Sequence, residues 1–161
     1  MINKKLLLDE IIKTLEALYQ DAFDAAMRAY DTATDNENEA ENKYDTLGLE
    51  AAYLAHGQSK RVAECAVDLN TFKKLKEFEA DSRKIIKIGT LIYLVDSDDK
   101  KFVVFLGPAA GGLNVTFEET NIAIVTAAAP LGNALLGRFI DDEFELKLGH
   151  IKKHYTITYI C

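Results

Sequence analysis

Residues 31–45 read DTATDNENEAENKYD, a polar segment with six acidic side chains and one lysine. The stretches before and after it contain no proline, and their apolar residues recur at spacings of three and four. This rhythm is the heptad pattern of helices that pack along a common seam. Two such helices joined by a polar turn predict an antiparallel coiled-coil hairpin with an acidic tip near residues 33–41.

The first helix is expected from Lys4 to about Thr32, and the second from about Glu39 to Phe78. Thr32 and Thr34 are expected to cap the turn between them. In the first helix the predicted seam consists of Leu8, Ile11, Leu15, Leu18, Ala22, Ala25 and Ala29. In the second it consists of Ala40, Tyr44, Leu47, Ala51, Leu54, Gln58, Val62, Cys65, Leu69 and Phe72. Phe72, Leu75 and Phe78 are expected to pack the base of the hairpin against the second half of the chain.

That second half changes from helical periodicity to short β-rich runs, some of them alternating apolar and polar residues as half-buried antiparallel strands do. Five strands are expected, at residues 87–95, 101–106, 121–126, 144–148 and 154–160. Pro130 and Gly137 are suited to begin and end a short helix between the third and fourth strands. The fold class is therefore α+β, with a hairpin domain over residues 1–80 and a small sheet domain over 84–161.

Composition narrows the classes of function. The formal net charge of −7 argues against a surface that coats nucleic acid, because such surfaces depend on basic patches. The two cysteines are too few for a disulfide framework and are expected to be free thiols. The three histidines and two cysteines are widely scattered, so no zinc site is predicted. No segment reaches the length of a membrane span, so the expected location is the cytoplasm.

Residues 129–138 read APLGNALLGR, and Asp142-Glu143-Phe144 comes shortly after. This stretch resembles the carboxy-terminal domain of the Gre transcription elongation factors of bacteria, whose pattern is close to SPLGRALLGK followed by a G-D-E-V turn. Gly107-Pro108 also matches a V-G-P step of that family. The resemblance implies that the sheet domain is FKBP-like, and it extends over essentially the whole chain. Residues 129–138 differ from the family pattern at Ala129, Asn133 and Arg138.

The tip departs from the family pattern, which has an acidic pair spaced D-x-x-E and then N-A-E-Y. Aligning Tyr44 with the family tyrosine places Glu37 on the aspartate and Ala40 on the glutamate. Aligning Asp35 with the aspartate places Asn38 on the glutamate. No alignment supplies both carboxylates, although Asp35, Glu37, Glu39 and Glu41 all lie in this segment.

The resemblance implies a factor that binds bacterial RNA polymerase and inserts the hairpin tip into the secondary channel. Asp35, Glu37 and Glu39 are the predicted catalytic residues, and Asp35 and Glu37 would hold Mg²⁺ jointly with the polymerase. The polymerase then hydrolyses the extruded 3′ end of its nascent RNA, and DNA is met only through the polymerase complex. The protein is expected to be a monomer with no hydrolytic activity of its own, and Pro130 and Leu131 are expected to contact the polymerase.

Other interpretations remain open. A regulator that occupies the same channel without cleavage would account for the missing D-x-x-E pair, and a prolyl isomerase with a helical handle is a third possibility. The acidic residues of the tip would also suit a solvated turn that favours the start of the second helix through its dipole. Leu131, Leu135 and Leu136 would equally suit the core of the small domain.

Overall fold

The computed structural model describes residues 2–35, 46–77, 85–149 and 151–161. Two helices come first, α1 (Lys4–Thr34) and α2 (Leu47–Glu77). A sheet with one short helix comes next: β1 (Leu91–Asp96), β2 (Lys101–Gly107), β3 (Asn114–Phe117), β4 (Thr120–Thr126), α3 (Pro130–Leu135), β5 (Glu143–Leu148) and β6 (Ile151–Ile160). This order confirms the predicted α+β class, with a helical hairpin preceding a largely antiparallel sheet.

Helix α1 begins at a side-chain cap that the sequence analysis did not identify. The Asn3 Oδ1 atom accepts hydrogen bonds from the backbone N–H groups of Lys5 (3.1 Å) and Leu6 (3.3 Å). With 31 residues, α1 is about 46 Å long. Its predicted seam is confirmed, because the buried and half-buried positions follow the heptad rhythm: Leu8, Ile11, Leu15, Leu18, Ala22, Ala25 and Ala29.

From Ala51 to Phe72, the predicted seam of α2 is wrong at one position, while the predicted seam residues Ala40 and Tyr44 lie outside the described residues. Leu54 is 56% exposed, whereas Ala55 is half-buried. Moving the seam from Leu54 to Ala55 restores a strict alternation of four and three, from Ala51 through Gln58. Leu54 was predicted as a seam residue because its side chain is larger and more apolar than that of Ala55. Helical geometry, however, decides which side chains face the partner helix.

Thr32 and Thr34 do not cap the turn as predicted. Their hydroxyl groups donate to the carbonyl oxygens of Arg28 (2.9 Å) and Tyr30 (3.0 Å), one turn earlier in α1. This back-bonding is a common way for threonine to satisfy its hydroxyl inside a helix, and α1 therefore continues to Thr34. The predicted start of the second helix at Glu39 lies outside the described residues.

The chain divides into two compact units, each described by itself. One contains Ile12–Asn70, and the other contains Met1–Ile11 together with Thr71–Cys161. In the unit that contains the sheet, an ion pair joins Asp9 of α1 to Lys76 of α2. The first turns of α1 therefore lie beside the last turns of α2, as an antiparallel hairpin requires. The predicted junction near residues 80–84 lies outside the described residues.

The sheet in the described part of the chain has six strands in the order β3-β4-β2-β1-β6-β5. Four of its pairings are antiparallel, while β2 and β4 are parallel. Strand β3 was not predicted, and it joins β4 through the two-residue turn Glu118-Glu119. It occupies part of the long connection that the sequence placed between the second and third strands.

The two faces of the sheet bury different clusters. One face packs under α3, where its core includes Ile92, Leu94, Val104, Leu106, Leu135, Phe144 and Ile157. Phe105 alternates to the opposite face, and its ring centroid lies 6.2 Å from that of Phe72 in α2. Both rings are fully buried, which confirms the predicted packing of Phe72 at the hairpin base. Leu75 lies close to Gly89, and Phe78 is outside the described residues.

Candidate functional site

The acidic segment begins where α1 ends. Asp35 is the first residue after the helix, and its side chain is exposed. Glu37, Glu39 and Glu41 lie outside the described residues. The structure therefore places one of the three predicted catalytic carboxylates, and the predicted pairing of Asp35 with Glu37 stays a prediction.

Large apolar side chains are exposed on α1 toward its carboxyl end. Phe23, Met27 and Tyr30 are each more than 40% exposed, and their spacing of four and three puts them on one face of the helix. The ring of Tyr19 stacks on that of Phe23 at a centroid distance of 6.4 Å and extends this stripe. The stripe was not predicted, although its spacing in the sequence is the signal that would have revealed it.

Helix α2 also exposes large apolar side chains, near its described amino end. Leu49, Tyr53 and Leu54 are all more than half exposed. Solvent-facing helix positions are usually polar, so apolar residues grouped on a helix surface indicate contact with another molecule. In both helices these residues lie in the half of the element nearest to residues 36–45.

Residues 129–138 form the short helix that the sequence predicted. Pro130 occupies the first turn of α3, where its fixed φ and missing N–H group cost nothing. Gly137 comes after the helix with φ of +82°, a conformation that favours glycine. Gly132 is buried so tightly that a Cβ atom there would lie 2.0 Å from the Thr126 carbonyl oxygen. The glycines of this segment therefore have structural roles.

The leucines of this segment divide between core and surface. Leu135 is fully buried, and Leu131 is half-buried against the same core cluster. Leu136 is 46% exposed, so the expectation that it belongs to the core is wrong. The reason is geometric, because Leu136 comes after the last residue of α3 and its ψ of 127° lies outside the helical region. Pro130 is also exposed.

Side-chain contacts connect α3 to the start of β5. The Arg138 Nε atom donates to the Ala134 carbonyl oxygen at 2.6 Å, and its guanidinium lies 5.0 Å from the centre of the Phe144 ring. The Asp142 carboxylate accepts a hydrogen bond from the Phe139 N–H group at 2.9 Å. Arg138, Asp142 and Phe144 therefore all stabilise the segment between α3 and β5.

The histidines show no catalytic arrangement in the described residues. His56 is exposed on α2, and His154 on β6 has its Nε2 atom 3.5 Å from the Glu145 carboxylate. Among the described residues, no cluster of three or more histidine, cysteine or acidic side chains is placed to hold a metal ion. No described helix is long and apolar enough to span a membrane.

No family model matches the chain, and no curated protein matches it. Among solved structures it is similar to the GreA factor homolog 1 (Gfh1) protein of Thermus thermophilus, at 20% identity and a TM-score of 0.39 over 98% of this chain and 94% of that one. Gfh1 of Thermus aquaticus gives 17% identity and a TM-score of 0.39 over 92% of each chain. The transcription elongation factor GreA/GreB from Nitrosomonas europaea gives 20% identity and a TM-score of 0.37, over 48% of this chain and 60% of that chain.

Proposed function

We propose that this protein is a Gre-like factor that binds bacterial RNA polymerase and stimulates cleavage of backtracked RNA through its acidic hairpin tip. The observation that carries the proposal is the structure of residues 129–138. The residues that this segment shares with the Gre pattern have definite structural roles, from Pro130 in the first turn through Gly132 against Thr126 to the positive φ of Gly137. The residues that match the Gre pattern are therefore residues that the fold of this segment requires.

The hairpin supplies the second support. Its described helices are each 31 residues long, so each is about 46 Å in length. An element of that length is suited to place a few residues deep inside a channel of a larger assembly. The exposed stripe of Phe23, Met27 and Tyr30 gives the hairpin an apolar surface for that contact.

The acidic segment suits the proposed chemistry. Mg²⁺ prefers oxygen ligands and usually takes one or two carboxylates together with water and substrate phosphate. The exposed carboxylate of Asp35 is such a ligand, and Glu37 and Glu39 come soon after it in the sequence. When bound, the ion would polarise the scissile phosphate and activate water. Asp35 and Glu37 would hold it only together with groups of the polymerase, and Glu39 would supply a further carboxylate.

Transcript cleavage on stalled, backtracked elongation complexes tests the proposal directly. The intact protein is compared with Asp35→Asn, Glu37→Gln and Glu39→Gln, singly and together. Each change keeps the side-chain shape and removes the negative charge. Weakening even the partners of metal ligands costs roughly 10- to 100-fold in metalloenzymes, so we expect at least a tenfold loss of cleavage in one or more variants, with polymerase binding retained.

A matched control lies on the same helix. Asp21→Asn removes an exposed carboxylate 14 residues before Asp35, which is about 21 Å along α1. It should leave cleavage unchanged. Equal losses in Asp21→Asn and Asp35→Asn would mean that overall charge matters and that the tip has no specific role.

The second candidate is a regulator that occupies the channel without stimulating cleavage. The absence of a D-x-x-E pair in residues 35–45 favours it. In the same assay it predicts that the intact protein binds the polymerase, that no RNA is shortened and that elongation slows. Failure to bind the polymerase at all would reject both candidates.

The predicted contact at Pro130 and Leu131 is tested through binding. Pro130 is exposed, whereas Leu131 is partly packed against the core, so Pro130→Ser changes the surface with the smaller effect on the fold. We propose that this change weakens binding to the polymerase. Asn133→Ser, also exposed on α3, is the control.

A further inference from the structure

A cavity of about 670 Å³ opens in the sheet domain, at a place that the proposed function does not use. Binding sites for small molecules usually measure about 300–1,000 Å³ and combine apolar walls with a few polar groups. This cavity has both kinds of lining. Its walls come from β1, β2, β6 and the β3–β4 turn, and Ile2 closes part of it.

Aromatic rings form one wall. Tyr93 of β1 and Tyr159 of β6 meet edge to face, with ring centroids 5.5 Å apart and planes at 71°. The pairing of these strands is interrupted between Tyr93 and Leu94, where β6 contributes one extra residue, Thr158. The Thr158 hydroxyl donates to the Tyr93 carbonyl oxygen at 3.2 Å. Bulges of this kind reorient side chains and are frequent beside binding sites.

The turn between β3 and β4 brings a carboxylate to the cavity at a conformational cost. Glu118 and Glu119 have φ angles of 48° and 61°, a conformation that is rare for residues other than glycine, asparagine and aspartate. A two-residue hairpin turn of this type normally has Asn-Gly. Such strain costs about 1 kcal/mol or more per residue and concentrates at functional sites. Of the two residues, Glu118 lines the cavity.

The cavity also carries two exposed charges of opposite sign, those of Lys101 and Glu118. Neither side chain forms an ion pair with another residue in the described part of the chain. The aromatic wall is partly removed from water, because Tyr93 and Tyr159 are both half-buried. Burial raises the pKa of the Tyr93 hydroxyl, with smaller increases from Cys161, Tyr159 and Glu118 and a decrease from its hydrogen bond with the backbone of Ile2. A ligand with one positive group, one negative group and an apolar body would complement all three features.

We propose that this cavity binds a small zwitterion with an aromatic side chain, an α-amino acid such as phenylalanine or tyrosine. The ammonium group would pair with Glu118 and the carboxylate with Lys101. The side chain would lie against Tyr93 and Tyr159, which share one face of the sheet. The inference is independent of polymerase binding.

Titration of L-phenylalanine into the ¹⁵N-labelled intact protein, monitored by NMR, tests this assignment. We expect saturable shifts confined to residues that line the cavity. Phenethylamine lacks the carboxylate and 3-phenylpropanoate lacks the ammonium group, so each should bind at least about fivefold more weakly, because each forfeits one charge-assisted hydrogen bond.

Two pairs of neighbouring residues provide matched variants. Glu118→Gln should weaken binding of L-phenylalanine at least about fivefold, whereas Glu119→Gln alters the same turn but not the cavity lining and should not. Lys101→Gln should weaken binding, whereas Lys100→Gln should have a smaller effect. Absence of shifts at the cavity at millimolar L-phenylalanine would overturn the proposal. Equal effects of Glu118→Gln and Glu119→Gln, or equal affinity for the three probes, would overturn it as well.

Discussion

Gly132 of α3 has no room for a side chain. An alanine Cβ atom there would lie 2.0 Å from the Thr126 carbonyl oxygen and 2.7 Å from its carbon, so backbone has to move. We expect Gly132→Ala to lower the free energy of unfolding by about 1–3 kcal/mol, the usual cost of overpacking. Urea denaturation monitored by circular dichroism measures this.

Gly57 is the natural control, because a Cβ atom there would meet nothing within 4 Å. It lies inside α2, where alanine is favoured over glycine by roughly 0.5–1 kcal/mol. Gly57→Ala should therefore raise stability while Gly132→Ala lowers it. The same sign of change in both variants would contradict the packing around α3.

The strained turn between β3 and β4 gives a prediction of the opposite sign. Glu119 has a φ of 61°, and glycine adopts this conformation without the clash that a Cβ atom causes. Glu119→Gly should raise the free energy of unfolding by up to about 1 kcal/mol, after the entropy of the unfolded chain is subtracted. Thr120→Gly, one residue later in β4, should destabilise. A loss of stability in both would show that the turn is unstrained.

Two half-buried ionisable groups, Tyr93 of β1 and Cys161 after β6, predict how stability depends on alkaline pH. Burial raises the pKa of the Cys161 thiol above its ordinary value of 9.0, and that of the Tyr93 hydroxyl above 10.0. Below these pH values both groups are neutral in the folded and in the unfolded protein. As the pH rises past them, the unfolded chain releases protons more readily than the folded one, so the free energy of unfolding falls.

The variant Tyr93→Phe/Cys161→Ala should flatten this decline above pH 9.0, where the Cys161 thiol begins to titrate in the unfolded chain. Tyr53→Phe, which alters an exposed phenol on α2, should leave it unchanged. Urea midpoints at several pH values supply the comparison. Parallel curves for the double variant and the intact protein would show that these two groups do not cause the decline.

At the scale of elements, the two leucines Leu15 and Leu54 test the seam of the hairpin. Leu15 is 3% exposed and Leu54 is 56% exposed, although the sequence pattern suggests both as seam positions. Leu15→Ala should cost about 2–5 kcal/mol, as large-to-small changes in cores do. Leu54→Ala should change stability by no more than about 0.5 kcal/mol. Similar losses in the two variants would place Leu54 on the seam after all.

The elements that were predictable from sequence are those with a repeated apolar pattern or with a proline and a glycine at their ends. Helix α1 repeats its seam over seven positions, and α3 is bounded by Pro130 and Gly137. Strand β3 has four residues, begins with asparagine and comes soon after two glycines, so no periodicity distinguishes it from a loop. Its identity depends on pairing with β4, which is a tertiary contact that local sequence does not encode.

The candidate site was less predictable than the fold. Composition and resemblance suggest Asp35, Glu37 and Glu39 as candidates, but which carboxylates would act together in the proposed metal site depends on the groups that the polymerase would contribute. The exposed stripe at Phe23, Met27 and Tyr30 could have been predicted from periodicity, since its residues recur at the same spacings of four and three as the neighbouring seam. The cavity beside Tyr93 could not have been predicted, because its lining comes from separate strands and from a turn whose φ angles the sequence does not reveal.

At the scale of the whole molecule, the boundary of the compact units differs from the boundary suggested by secondary structure. The sheet forms one unit with Met1–Ile11 and with the end of α2 that begins at Thr71. Phe72 belongs to this unit, and its fully buried ring packs on that of Phe105. A fragment that begins at residue 85 would therefore leave Phe105 without a partner that fills the same space.

This arrangement predicts which fragment of the protein folds. In a fragment of residues 85–161 alone, the sheet should have a free energy of unfolding about 3–5 kcal/mol lower than in the intact protein, as when a buried phenylalanine is truncated to alanine. The fragment should also bind a hydrophobic dye. A chain in which a linker of about four residues replaces Ile12–Asn70 retains the Asp9–Lys76 pair and Phe72, and it should unfold cooperatively. In the intact protein, Phe72→Ala should reproduce most of the loss. Equal stability of the two fragments would show that the sheet does not depend on the base of the hairpin, because the packing of Phe72 on Phe105 would then be dispensable.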